Sequence, residues 1–150
     1  MTQTSRSTGR QTLRHTPQGA RFTELVLEVL RLNGLLIAAG NQLSEASGLT
    51  SARWQVLGAI ALAGTPLTVS QIARSMGLTR QGVHRVIDEL AASAHIRRTD
   101  DPHSLKARPV TLTDAGKTSY AAVTSRQIPW ANRTAGGIDA KKLASTVEVL

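Results

Sequence analysis

Apolar residues are spread unevenly along the chain, and their spacing divides it into segments of different character. Between residues 21 and 45, Leu25, Val26, Leu27, Val29, Leu30, Leu32, Leu35, Leu36 and Ile37 cover almost the whole circumference of a predicted helix. A helix that is apolar on nearly all sides must be buried on nearly all sides. A chain of 150 residues offers few places to do so by itself. Burial in a subunit interface is the economical reading, and a central core helix in a monomer is the other. Thr50 is placed to cap a helix over 51–63, in which Trp54, Leu57, Ile60 and Ala61 recur at helical spacing; Gly64, Thr65 and Pro66 end it.

The next stretch is more tightly specified. Thr68-Val69-Ser70-Gln71 has the form of a capping box, with a hydroxyl and an amide each able to bond the other's backbone. A short helix is expected to run to Met76, followed by Gly77 in the left-handed conformation. Thr79 then caps a helix over 80–93 that buries Val83, Val86, Ile87 and Leu90. Ala73 is small where two helices must cross closely. Ile72, Met76, Leu78, Val83 and Val86 are expected to form their shared core. Two helices joined by a tight glycine turn make a helix-turn-helix, which leaves the outer face of the second helix free.

Two short strands are expected at 96–99 and 108–112, around a polar hairpin tip over 100–107 that holds Pro102, His103, Ser104 and Lys106. Thr113 caps a helix over 114–130, which Gly136 and Gly137 break. Asp139 caps a last helix with Leu143, Val147 and Leu150 on one face. Residues 1–20 carry Arg6, Arg10 and Arg14, no carboxylate, and the turn residues Gly9, Pro17 and Gly19. They read as a disordered basic arm, either touching DNA phosphates or without a role.

Charge changes this picture from a fold to a partner. Eighteen Lys and Arg against ten Asp and Glu give a net charge of +8. The corresponding pI is near 11.3. Polyanions are the implied partners, nucleic acid ahead of anionic membrane. The absence of cysteine rules out a disulfide scaffold, a thiol redox sensor and thiolate-bound metal. Aromatic residues are only 3% of the chain, too few for a single-strand stacking platform. No stretch approaches the roughly 18 consecutive apolar residues of a membrane span, and the start has no apolar core like that of a secretory signal. A cytoplasmic protein without membrane contact is expected. His15, His84, His95 and His103 are scattered, and the phosphate-loop, dinucleotide, nucleophile-elbow and zinc-protease motifs are absent. No enzyme activity, cofactor or metal is expected.

The outer face of the helix over 80–93 carries Arg80, Gln81, His84, Arg85 and Asp88. Arg can bond both acceptors of guanine in the major groove, and Gln can do the same for adenine. The bland alternative is a solvated basic face. The glycine turn, the capping box and the following hairpin favour double-stranded DNA. Arg97 and Arg98 flank the ascending side of the hairpin, and Lys106 and Arg108 the descending side. A hairpin so placed can reach an adjacent minor groove. The candidate DNA contacts are Ser70, Gln71, Thr79, Arg80, Gln81, His84, Arg85, Lys106 and Arg108. Trp54 is a weak candidate for the wall of a ligand pocket; a core tryptophan is the commoner explanation.

The runs V-S-Q-I-A-R-S-M-G-L-T-R-Q-G-V-H-R-V-I-D-E-L, I-R-R-T-D-D-P and V-T-L-T-D-A-G resemble the MarR family of winged helix-turn-helix regulators, across roughly residues 21–150. The resemblance implies a mainly α fold with a small β-hairpin wing. It also implies dimerisation helices at 21–45 and 114–150 around a winged helix-turn-helix at 50–112. By the same resemblance, the chain is a homodimer on a pseudo-palindromic operator, with the recognition helix in a major groove and the wing in a minor groove. It would be a sequence-specific transcriptional regulator, most simply a repressor released by a small aromatic or anionic effector. Departures from the family pattern are Ser104 and Lys106 in place of an Asp–Arg pair in the wing, Ala94 in place of Gly after the recognition helix, and Gly82 within that helix. The alternatives are a winged-helix protein-interaction module, a ligand-binding protein without specific DNA recognition, or a non-specific architectural DNA binder.

Overall fold

The computed structural model describes residues 14–99 and 108–150. Its elements are α1 (Pro17–Glu45), α2 (Ser51–Ala63), α3 (Val69–Ser75), α4 (Arg80–Ala92), β1 (Ile96–Arg98), β2 (Val110–Leu112), α5 (Asp114–Thr134) and α6 (Ala140–Val149). The architecture is mainly helical with one two-stranded antiparallel hairpin, as the sequence implied. Two compact units divide the chain, the first ending at Leu36 and the second running Ile37–Leu150.

In the first unit the described residues are those from 14 to 36. The helix starts at Pro17, so residues 17–20 are helical and do not belong to the expected arm. The reason is local: the Thr16 hydroxyl accepts the Gly19 backbone N–H at 3.0 Å, and Pro17 occupies the first helical position, where a missing N–H costs nothing. Residues 1–13 of the expected arm lie outside the described residues. Every large aliphatic side chain from Leu25 to Leu36 is exposed within the chain, Leu30 and Leu35 at 62% each.

The second unit holds the core: Leu57 of α2, Ile72 of α3, Val83, Ile87 and Leu90 of α4, Val110 of β2 and Val123 of α5 are fully buried. Each helix begins at the residue the sequence singled out. Thr50, Thr68, Thr79 and Thr113 each accept a backbone N–H from three residues on, and Asp139 accepts those of Lys141 and Lys142, two and three residues on. The α1 end is held by Arg126 of α5, whose Nε donates to the Leu43 carbonyl at 2.9 Å; a cation there also complements the helix dipole.

The strands are shorter than expected. They pair Ile96 with Leu112 and Arg98 with Val110, and the Arg108 end of the second is not strand. Pro109 has no N–H to extend the ladder. An antiparallel bridge between Leu67 and Val110 ties the hairpin to the start of α3. α5 runs four residues past its expected end, to Thr134, with Pro129 inside it. Gly116 explains the G of the V-T-L-T-D-A-G run: a Cβ there would sit 2.0 Å from the His95 carbonyl oxygen. Leu78, expected in the shared core, is 51% exposed, whereas Ile72 and Ala73 are buried.

Candidate nucleic-acid interface

The site is built on the α3–α4 pair. The capping box is complete: the Thr68 hydroxyl accepts the Gln71 backbone N–H, and Gln71 Oε1 accepts the Thr68 backbone N–H at 2.8 Å. Gln71 is thus committed in part to its own helix, and Ser70 beside it is half-buried. α3 ends in a paired carbonyl closure in which Leu78 N–H reaches the Ala73 oxygen and Gly77 N–H the Arg74 oxygen. Gly77 at φ +63° makes this closure without strain.

From that turn α4 leaves with its two faces clearly separated. Val83, Ile87 and Leu90 are buried, while Arg80, Gln81, His84 and Arg85 are exposed. Thr79 caps the helix by accepting the Gly82 N–H at 3.1 Å. A Cβ at position 82 would stand 3.2 Å from that hydroxyl, a close approach, although Arg53 and Gln71 hold the same position after their own threonine caps. The four outward side chains and the cap therefore lie along one accessible ridge.

Two ion pairs, not foreseen from the sequence, hold this ridge in place. Glu89 accepts Arg53 Nε of α2 at 3.0 Å and Arg85 Nε at 3.2 Å. The Arg53 hydrogen bond, opposed by partial desolvation and assisted by Arg85, keeps the Glu89 carboxyl below its ordinary value of 4.5. Arg85 remains 85% exposed along its side chain and makes this pair through Nε. Asp88 pairs with Arg98 of β1 and so links the recognition helix to the hairpin. Arg97 Nε donates to the Thr111 hydroxyl across the ladder. Arg108 is exposed at the edge of the hairpin, and Lys106 and the hairpin tip lie outside the described residues. The Arg85–Glu89 pair was detectable as an i,i+4 spacing. Arg53, 36 residues from Glu89, carried no such signal.

Between α2, α3 and α5 lies a cavity of about 740 Å³ bounded by Trp54, Gly58 and Leu62 of α2, Gln71 and Met76, and Tyr120 of α5. Trp54 is half-buried, packed on the core and facing this space, so it is both core residue and pocket wall. Among the described residues no group of His, Asp and Glu is arranged to hold a metal ion. No helix among them is long and apolar enough to cross a membrane.

Comparison with known proteins agrees with this geometry. The MarR family profile matches residues 47–107. An uncharacterized protein of Mycobacterium tuberculosis is 36% identical over 129 residues, spanning 86% of this chain and 89% of its own. A transcriptional activatory protein of Rhodopseudomonas palustris, BadR, is 26% identical over 69% of this chain and 61% of its own. Among solved structures, CouR of Rhodococcus jostii bound to p-coumaroyl-CoA superposes with a TM-score of 0.72 at 19% identity, covering 83% of this chain and 87% of that one. With a core built on α2 to α5, a capped helix-turn-helix and an antiparallel hairpin after it, the chain belongs to the MarR family of winged-helix transcription regulators.

Proposed function

We propose that the protein is a homodimeric, sequence-specific regulator of transcription that binds double-stranded DNA and acts as a repressor released by a small-molecule effector. The observation that carries this reading is the sidedness of α4: its inner residues are buried, and Arg80, Gln81, His84 and Arg85 are presented together on the outside. A helix about 10–12 Å across fits a major groove about 12 Å wide. Arg85 and Gln81 supply base-edge readers, and Ser70, Thr79 and Arg80 supply phosphate contacts. Arg108 at the edge of the hairpin supplies a contact in the neighbouring minor groove, and Lys106, the other candidate there, lies outside the described residues.

Dimerisation by 21–45 and 114–150 accounts for the apolar residues of α1 from Leu25 to Ile37 and for Leu143, Val147 and Leu150 of the last segment, all of them exposed in the single chain. Two copies then hold two α4 helices about one duplex turn apart, roughly 34–36 Å, on a palindromic site. The cavity beside Trp54 is the effector site in this scheme. Its volume falls within the roughly 300–1,000 Å³ of small-molecule sites. The acyl-CoA bound by CouR supports small-molecule control in a protein of this fold.

Selection of bound sites from random duplex DNA tests the proposal. The expected result is a two-fold symmetric sequence with half-sites one turn apart and affinity that falls steeply with salt. Enrichment of no sequence would leave a protein-interaction or ligand-binding module. Equal affinity for all duplexes would leave an architectural binder. A reporter fused to the selected site then gives the sign of regulation.

A further inference from the structure

The lining of the Trp54 cavity is uncharged throughout. Among the described residues no Lys, Arg, His, Asp or Glu borders it. Its walls offer two aromatic faces, Trp54 and Tyr120, and the thioether of Met76. Of its polar side chains, Gln55 donates to the Ser51 hydroxyl and the Ser75 hydroxyl donates to the Ile72 carbonyl, while others keep free hydrogen-bonding capacity. Neither Trp54 Nε1 nor the Tyr120 hydroxyl bonds another described residue, and Gln71 commits its Oε1 to the capping box, leaving its amide N–H groups. Two described cations, Arg97 and Lys117, border a second cavity of about 460 Å³ on the other side of Tyr120, which lines both.

This distribution discriminates between ligand classes. A neutral aromatic ring gains contact with Trp54 and Tyr120, and a carbonyl or ether oxygen on it can accept from the indole, amide or phenol donors. A carboxylate set against these walls gives up part of its hydration and finds no counter-ion among the described lining residues, so its charge gains nothing there. We propose that the Trp54–Tyr120 cavity is a binding site for an uncharged aromatic compound bearing an oxygen acceptor, and that it rejects the corresponding carboxylate. The proposal rests on reading the cavity as the effector site, and it narrows the expected aromatic or anionic effector to the neutral class.

The probes are 2-naphthamide and 2-naphthoate, which share a ring system and differ in charge at neutral pH. Each is titrated calorimetrically into the full-length protein without DNA. The amide is expected to bind at least about tenfold more tightly than the carboxylate. Ser75→Arg places a cation at the cavity wall, on an exposed position at the end of α3. That variant, once its thermal unfolding shows it folded, is expected to narrow or invert the preference. Tighter binding of naphthoate by the parent protein, equal binding of both, or binding of neither would overturn the proposal, as would a preference unmoved by Ser75→Arg. Because no DNA is present, these outcomes are independent of operator recognition. Naphthamide binding that leaves operator affinity unchanged would instead strike the effector reading above.

Discussion

The first half of α1 and the α3–α4 pair are both rich in aliphatic residues, and they dispose of them in opposite ways. In α4 the apolar positions recur at 83, 87 and 90 and vanish completely into the core. In α1 they run around the helix and stay exposed from Leu25 to Leu36. A one-sided pattern can be satisfied by the chain's own neighbouring helices. A circumferential one needs a second surface, and contiguous exposed apolar area of this kind marks an interaction site. α4 is thus stabilised from within, and under the proposed dimer α1 is covered from without.

The most severe way to break that contrast is to charge α1. Leu30→Asp removes roughly 1.5–3 kcal/mol of apolar burial per copy, about twice that for a symmetric pair. Sedimentation is expected to show monomers and gel shifts a loss of operator binding, with circular dichroism little changed. An unaltered dimer would locate the interface elsewhere. Leu90→Ala, in contrast, is expected to cost about 2–5 kcal/mol in urea unfolding, because its residue is fully buried. A smaller value would mean that the α4 core can collapse around the vacancy.

Arg85→Ala tests the outward face of the same helix. It is expected to weaken binding to the selected site by roughly 1–3 kcal/mol and to relax preference at one base pair, with unfolding little changed. A uniform loss across all sequences would make Arg85 a phosphate contact.

Two helix ends sharpen the contrast at a finer scale. Behind α4, His95 N–H reaches the Leu90 oxygen and Ala94 N–H the Ala91 oxygen, the same closure that Gly77 makes behind α3. Here the left-handed residue is Ala94 at φ +57°. An alanine in that conformation costs roughly 1–2 kcal/mol. Ala94→Gly is expected to raise stability by about 1 kcal/mol or less, since glycine also gains freedom in the unfolded chain. Denaturation of the two proteins side by side measures it, and a loss of stability would show that Ala94 makes contacts worth more than its strain.

The smallest effect is electrostatic. Because the folded pKa of Glu89 is depressed, the stability it contributes is present above its unfolded value of 4.5. That stability is lost as pH falls through the lower folded value. Glu89→Gln should flatten this part of the melting-temperature profile. Parallel profiles for the two proteins would remove the Arg53–Glu89–Arg85 cluster as a contributor.

Much of the fold was readable because its signals are local. A Thr or Asp that bonds an N–H two or three residues on leaves its mark within four letters, and the caps at 50, 68, 79, 113 and 139 all stand where the sequence set them. The same locality misled at Pro17, where turn residues proved to be the first turn of a helix capped by Thr16. The outer face of α4 was legible from period alone, and four of the proposed DNA contacts share it: Arg80, Gln81, His84 and Arg85. Leu78 shows the limit: hydrophobicity between two helices predicts burial, but the turn geometry points it outward.

The order of helices, their capped starts, the amphipathic α4 and the surplus of positive charge are properties of the sequence by itself, since each depends on neighbours one to four residues apart or on a sum. The Leu67–Val110 bridge, the Arg53–Glu89 and Arg98–Asp88 ties and the uncharged lining of the Trp54 cavity were decided only by the tertiary structure. The three ties join residues from 10 to 43 positions apart, and only the packing of the folded chain selects such pairs.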